Sequence, residues 1–585
     1  MCAVPAAARD YYVDCGGGQD SADGLTPATA WRTTSAVSKR TFAPGDAILF
    51  RRGSTCEGML APKGSGTAAA PIRLDAWDTG SLPKIVAKPG EHAALLLSNQ
   101  EYWTVEHLEF SGGNPHGVFV TGTRGILHGI HIRDIVVHDV TGTPKHKEGG
   151  LLVVSPTRQQ QRFDDVVIDG VTVYRTSQWV GILVGGGPFG FPPESTRSTH
   201  VVVRNSTVSD VAGDGIILFR VNDGVIENSV AGHTGMQETE TIGTPNAIWT
   251  WMCRRCTVRR SEAFLTDSPG VDGGAFDIDY GNDDNVVEES YGHDTQGYCL
   301  AVFGSGWVTT NSIVRNNVCA GNGRSPRLAQ RQGAVFLDTW NNGQLKGVSM
   351  TGNRVFWNPP IGSAAVVNRA AFVGSGTFEG NTIESSSPFL VRSNTSLLFD
   401  HNSYRYSASE PAWEYGGVLY RSFSEYQSQA RQDTHSTREK MPAAAARESP
   451  PDARLPAAYC DGAGGFTLLA FVSASPEDHD SRGTVTIAES AFRQFHASGL
   501  GAAVVVVDSV DPQRAKNLPH DWQTGDMRVR FDGGGQVSHV PAMVLANRQC
   551  QVVWRHDVFT APGDLGLALR SFLGEPDYAQ LVTEP

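Results

Sequence analysis

The sequence predicts a parallel β-helix, a coil of short strands stacked lap upon lap, followed by a small α/β domain. Three observations carry this. A short apolar strand ending in a polar corner recurs as Val202-Val203-Arg204-Asn205, Val225-Ile226-Glu227-Asn228, Ile313-Val314-Arg315-Asn316, Met350-Thr351-Gly352-Asn353, Phe378-Glu379-Gly380-Asn381 and Phe399-Asp400-His401-Asn402. The interval runs from about twenty to under forty residues, as insertions on one face of a coil would produce. A second column of strands follows these corners, and aligning its members stacks Leu152, Ile217, Ile248, Phe276, Leu300 and Val335 inward. Strong helical periodicity is nearly absent before about Asp480. A regular inward column does not suit a flat sandwich, and the laps lack the crossover helices of a βαβ fold.

In chain order, the segment from Asp10 to about Pro89 reads as a cap over the first lap, whose edge would otherwise present unpaired backbone groups. Its runs Asp20-Ser21-Ala22-Asp23-Gly24-Leu25-Thr26-Pro27 and Phe42-Ala43-Pro44-Gly45-Asp46-Ala47-Ile48-Leu49-Phe50 resemble the opening of bacterial right-handed parallel β-helix proteins of the pectate-lyase-like superfamily. That resemblance implies an all-β right-handed solenoid over residues 10–437 and a carbohydrate-active protein. The superfamily includes hydrolases, lyases and epimerases, so it does not select the reaction. The recurring Asn corners suit the left-handed conformation and bonding along the stack. From Ser407 the repeat fades into an aromatic closing segment, and residues 438–464 form a Pro-, Ala- and charge-rich linker.

A different domain occupies residues 465–578. Phe466–Val472 and Ala502–Asp508 read as buried strands around a helix from Ala488 to Ser498, with Val540–Ala546, Gln551–His556 and a helix from about Asp564 to Leu573 behind them. The order, with Val540-Pro541 before the penultimate strand, resembles the thioredoxin-like fold, in which that proline is cis and faces a Cys-x-x-Cys pair. Here the corresponding loop is Ser473-Ala474-Ser475-Pro476-Glu477-Asp478, without cysteine. The domain is therefore expected to dock or stabilise, and it would present a surface to any docking partner.

A net charge of −13 argues against nucleic acid as a partner and mildly against a polyanionic substrate. No apolar run is long enough to span a bilayer. Met1-Cys2-Ala3-Val4-Pro5-Ala6-Ala7-Ala8 reads as a start codon placed at a mature N-terminus, which agrees with a secreted or periplasmic bacterial protein. Cys15 and Cys56 are placed to form a disulfide after export. Cys253-Arg254-Arg255-Cys256 has no second such pair for zinc and reads as buried at a turn between laps. No metal or other cofactor is expected, a structural calcium ion aside.

The chemistry concentrates on Gly270–Gly304. In the strand Ala275-Phe276-Asp277-Ile278-Asp279-Tyr280, Phe276 and Ile278 face one side and Asp277 and Asp279 the other. Strand spacing puts these two aspartates about 7 Å apart at their α-carbons and Asp338, two laps on, roughly 10 Å from Asp279. Glycoside hydrolysis needs one protonated and one ionised carboxyl across the scissile bond, and wide gaps favour inversion. Mutual repulsion would supply the protonated form. Asp277, Asp279 and Asp338 are thus expected to divide acid and base roles, with inversion. Arg220, Trp249 and Trp251 on the same face would hold sugar, joined by Asp214, Asp272 and Glu238 from adjoining loops and by His293. The expected activity is hydrolysis of a plant or microbial polysaccharide or oligosaccharide. A polysaccharide lyase using Lys145-His146-Lys147 and Arg220 on a uronate is the alternative, and a non-catalytic glycan-binding β-helix is the third reading.

Overall fold

The computed structural model describes all residues except 1–7, 124, 148, 158–160, 187–195, 237–242, 408, 442–452, 461–464, 476–477, 508–523, 532–536, 538 and 575–585. Three long parallel sheets of 14, 14 and 13 strands run along one coil. One lap shows the plan: Thr257–Arg259 lies in the first sheet, Glu262–Thr266 in the second and Gly274–Ile278 in the third. Each strand pairs in parallel with its counterparts one lap before and after, as Asn246–Trp251 pairs Gly274–Ile278 and Gly274–Ile278 pairs Leu300–Ser305. The inward residues form one continuous apolar core from Val13 to Tyr426.

The recurring corners belong to the first sheet, and the column of longer strands to the third. Between these two columns lies the second sheet, which the sequence pattern leaves unassigned. Its strands are short, such as Tyr291–His293 and Val318–Ala320, and their outward positions include Tyr291, Val318 and Ala320. The inward column needs one correction. Ile216, not Ile217, pairs with Ile248 and belongs to the core, so Ile217 faces out opposite Trp249. A one-residue slip in register exchanges the two faces of a strand.

Two ladders tie the corners. Asn205, Asn228 and Asn316 adopt the left-handed conformation, with φ of 51°, 50° and 57°. Inside, Ser206, Ser229, Ser261 and Ser290 bond lap to lap, and the ladder continues through Asn317, Asn353, Asn381 and Asn402. Each buried side-chain oxygen from Ser229 to Asn402 thus accepts from a backbone N–H of the preceding lap. Disulfides join Cys15 to Cys56 and, unforeseen, Cys299 to Cys319 and Cys460 to Cys550. Cys253 and Cys256 are buried thiols.

The last strand of the second sheet, Thr437–Lys440, carries the coil into the segment read as linker. The C-terminal domain is a five-stranded mixed sheet in the order Arg528–Phe531, Leu500–Val506, Phe466–Val472, Ala542–Asn547, Val552–His556. Its first helix, His479–Phe495, begins a turn or more before the expected Ala488, capped by the Asp478 side chain on the Ser481 amide. The Val540–Pro541 bond is cis. Val485, Ile487 and Leu569 share a core with Tyr291, Val318, Ala320 and Phe356 of the second sheet. Arg354 also pairs with Asp480, and Arg482 with Glu289. The domain is therefore packed on the second sheet, leaving the outward face of the third to build a site. Among the described residues no helix is long and apolar enough to cross a membrane.

Candidate active site

The outward face of the third sheet carries, lap after lap, Leu183, Ile217, Trp249, Asp277, Ala301 and Phe336 in register. Aromatic and aliphatic side chains thus wall a carboxylate on both sides. Asp277 is 2% exposed, its Oδ2 accepts a 3.3 Å bond from Asn246 Nδ2, and its Oδ1 has no hydrogen-bond partner among the described residues. Burial pushes Asp277 well above the usual carboxylate range, and the charges of Asp279, Asp272 and Asp214 add to the shift.

Asp214, at the head of the strand Asp214–Phe219, is fully buried. It accepts from the Trp179 indole, from Trp249 Nε1 at 3.1 Å and from the Asn246 backbone N–H at 2.7 Å. Burial raises it to about 6, against the opposing pull of Lys147 and these donors. Asp272 and Asp279 are half-buried and form the solvent-facing part of the cluster. Burial lifts Asp272 to about 7, with Lys147 pulling it down and Asp214 pushing it up. Asp279 accepts from the Tyr280 N–H at 2.7 Å, and burial drives it well upward too. Asp272 sits in a left-handed turn with φ of 63°. Its loop is latched by Arg327, which donates to the carbonyls of Ser268 and Gly270.

The structure thus brings Asp214, Asp272, Asp277 and Asp279 together near Lys147, whose Nζ also donates to Thr244 Oγ1 at 3.1 Å, with Arg331 a second cation acting on Asp272. Other expected residues are placed differently. Asp338 is half-buried on the same face but bound to Arg369 Nη2 at 2.5 Å, so it stands as an ion-paired carboxylate rather than a free acid. Trp249 and Trp251 are each 4% exposed, not open platforms. Trp251 stacks on Phe219 at 4.2 Å and meets Tyr280 edge-on at 5.4 Å. Arg220 leaves the cleft series altogether. The corrected register puts Phe219 opposite Trp251, and Arg220 turns a left-handed corner with 2% exposure, drawn down to about 10 by burial and by Arg197.

His293 belongs to the second sheet, where its Nε2 lies 2.9 Å from Glu262 and its Nδ1 2.8 Å from Asp294. Glu262 in turn accepts from Ser490 at 2.7 Å and pairs with Arg493 of the C-terminal domain, so His293 serves the interface and not the cleft. Glu238 lies outside the described residues.

Sequence reasoning missed Asn246 and Tyr298. Tyr298 donates to Asn246 Oδ1 at 2.8 Å, and the Gly274 N–H donates to the same oxygen at 3.0 Å. The signal was faint, because in register Asn246 and Tyr298 share their position with Gly150, Val180, Asp214 and Gly274, where residue type varies from lap to lap. Two groups of histidine and carboxylates, Asp400–His401–His435 and Asp75–Glu106–His107, bring their ligand atoms within 4.8 Å of one another. Neither belongs to this cleft.

No family model matches the sequence. The chain is similar to the lacto-N-biosidase of Bifidobacterium longum subsp. longum, 23% identical over 53% of this chain and 25% of the relative. It thus spans about a quarter of the length of that curated relative. Among solved structures it is similar to a GH136 lacto-N-biosidase from Eubacterium ramulus, 20% identical with a TM-score of 0.48 over 74% of this chain and 67% of that one. It is also similar to the pectate lyase Pel9A, 16% identical with a TM-score of 0.34 over 54% of this chain and 77% of that one.

Proposed function

We propose that this chain is a glycoside hydrolase acting on an oligosaccharide. The observation that carries the reading is the pair of solvent-facing carboxyls, Asp272 and Asp279, backed by buried Asp277 and Asp214. With Asp272 raised to about 7 and Asp279 raised well above its ordinary range, the pair holds a proton at neutral pH. Neighbouring carboxyls in one cleft resist ionising together, so the reading assigns the proton to one and the charge to the other. The protonated member donates to the departing glycosidic oxygen. The ionised member either takes a proton from water or attacks the anomeric carbon, and Lys147 favours its charge. Burial keeps the pair's pKa values high, and the charge of Asp214, closed off from solvent, adds to the shift. Asp338, expected as a third acid, is held by Arg369 and takes no part in this step.

The name of the curated relative supports the class and makes a lacto-N-biose unit the first one to probe. A lyase would need a cation free to neutralise a uronate, whereas Lys147 is already opposed by Asp214, Asp272 and Asp279. The fold accords with a pectate-lyase-like coil. The C-terminal domain reads as a thioredoxin-like module without the redox pair, used to brace the second sheet, and the three disulfides accord with secretion.

The test is incubation with p-nitrophenyl β-lacto-N-bioside and a panel of neutral and uronate-containing oligosaccharides, read for new reducing ends and for absorbance of an unsaturated uronate. Reducing ends without absorbance, lost by roughly 100-fold or more in Asp279→Asn and Asp272→Asn, are expected. Absorbance, or full turnover in both variants, would overturn the assignment.

A further inference from the structure

Beyond the carboxylates, the later laps of the third sheet end in a patch that the chemistry above does not use. Trp340, at the end of the strand Val335–Trp340, is 42% exposed, in contrast to the buried Trp249 and Trp251. Its ring meets Tyr280 edge-on at 6.0 Å and Phe303 at 5.7 Å. Tyr280 follows Asp279 directly, and the Asp279 charge helps to raise its phenol pKa, so this aromatic contact leads straight from the acid pair to Trp340. On the same strand Asp338 holds Arg369 Nη2 at 2.5 Å, and the guanidinium lies 4.9 Å over the Phe336 ring.

A large exposed indole costs solvation unless something covers it. Here it is held by two aromatic neighbours beside a guanidinium that is fixed in position, with Asp338 occupying only part of its donor fork. A flat apolar surface next to fixed hydrogen-bond donors suits one ligand chemistry above others: a pyranose ring, with an apolar face of C–H groups and a rim of hydroxyls. Strand spacing sets Asp338 about two laps, or roughly 10 Å, from Asp279. That is too far for the sugar ring clasped by Asp272 and Asp279, and within reach of its neighbour along the chain.

We infer that Trp340, Tyr280 and Arg369 form a second sugar subsite, with Trp340 as the stacking platform and Arg369, oriented by Asp338, as the hydroxyl grip. The inference rests on the carbohydrate reading of the acid pair and extends it: the ligand is at least a disaccharide lying across the laps. Trp340 then sets chain-length preference and takes no part in bond cleavage.

The experiment measures binding apart from turnover. The full chain, Trp340→Ala and Trp340→Phe are titrated by calorimetry with lacto-N-biose, with its component monosaccharides and with the oligosaccharides of the panel above, each variant's fold being checked by its melting temperature. Where an oligosaccharide is turned over, Asp279→Asn supplies the background. The expected result is roughly ten-fold weaker oligosaccharide binding in Trp340→Ala, recovery in Trp340→Phe and no change for monosaccharides. Equal affinity in all three proteins, or an equal loss for mono- and oligosaccharides, would overturn the subsite. Binding that depends on Trp340 without any hydrolysis would leave the subsite standing and remove the hydrolase. No binding by the unaltered chain to any sugar of the panel would overturn both.

Discussion

Asn246 and Asp277 face each other across one lap, with Asn246 Nδ2 donating to Asp277 Oδ2 at 3.3 Å while the Asn246 backbone N–H donates to Asp214 Oδ1 at 2.7 Å. One amide residue thus governs the two carboxyls that solvent does not reach, and through them the charge felt by the two that it does.

Replacing Asn246 with Ala therefore removes a positioning residue. A buried acceptor left without its donor costs about 1–3 kcal/mol, and the bond between Tyr298 and Asn246 is lost with it. The expected outcome is a fall in kcat of about 10- to 100-fold, with a displaced pH profile and a smaller change in KM. An unaltered profile in steady-state kinetics would assign Asn246 to packing alone.

The raised carboxyls make stability depend on pH in a definite sense. Asp272 titrates near 4 in an unfolded chain and near 7 here. Its protonated form therefore favours the folded state below about pH 4, and this contribution fades as pH rises through about 7. Asp272→Asn is expected to melt a few degrees higher than the unaltered chain at pH 8 and no higher at pH 4. Calorimetric scans at the two pH values check it, and a gain of equal size at both would refute the linkage.

The interface on the second sheet should make the two domains unfold together. Glu262 is 4% exposed and answers His293, Ser490 and Arg493. Removing one partner of a buried charge network costs about 3–5 kcal/mol. Glu262→Ala is expected to lower the denaturant midpoint, with enzyme kinetics nearly unchanged because the cleft lies on another sheet. A large loss of kcat at full stability would contradict this division of labour.

The bond between Cys299 and Cys319 closes a loop spanning 20 residues and ties the third sheet to the second. A closed loop of that size is worth about 3 kcal/mol. The double variant Cys299→Ala/Cys319→Ala should lose stability of that order in chemical denaturation. Cys253 and Cys256, fully buried beneath a corner, should react with a thiol reagent only after unfolding.

Much of the coil was legible because its signals are local and repeated. The corner strands and the column of Leu152, Ile248, Phe276, Leu300 and Val335 come back in the core. The second sheet escaped because strands such as Tyr291–His293 are too short to show alternation. Ile217 was misplaced because in Gly215-Ile216-Ile217-Leu218 every position is apolar, so nothing local fixes the register. At the cleft, acidic residues could be placed on a face, and Asp277 and Asp279 were. Their exposure depends on neighbours in other laps, and so does the pairing of Asp338 with Arg369, a residue 31 positions away.

Because each lap advances by one strand spacing, the distance from Asp279 to Asp338 and Trp340 is a whole number of steps. Inserting or deleting one complete lap between them would shift the distal groups by about 4.8 Å and leave the acid pair undisturbed. A side chain grown longer on the face alters such a cleft by degrees, whereas a lap gained or lost alters it by a fixed increment. The reach of this cleft is thus countable, and its natural unit of change is the lap rather than the residue.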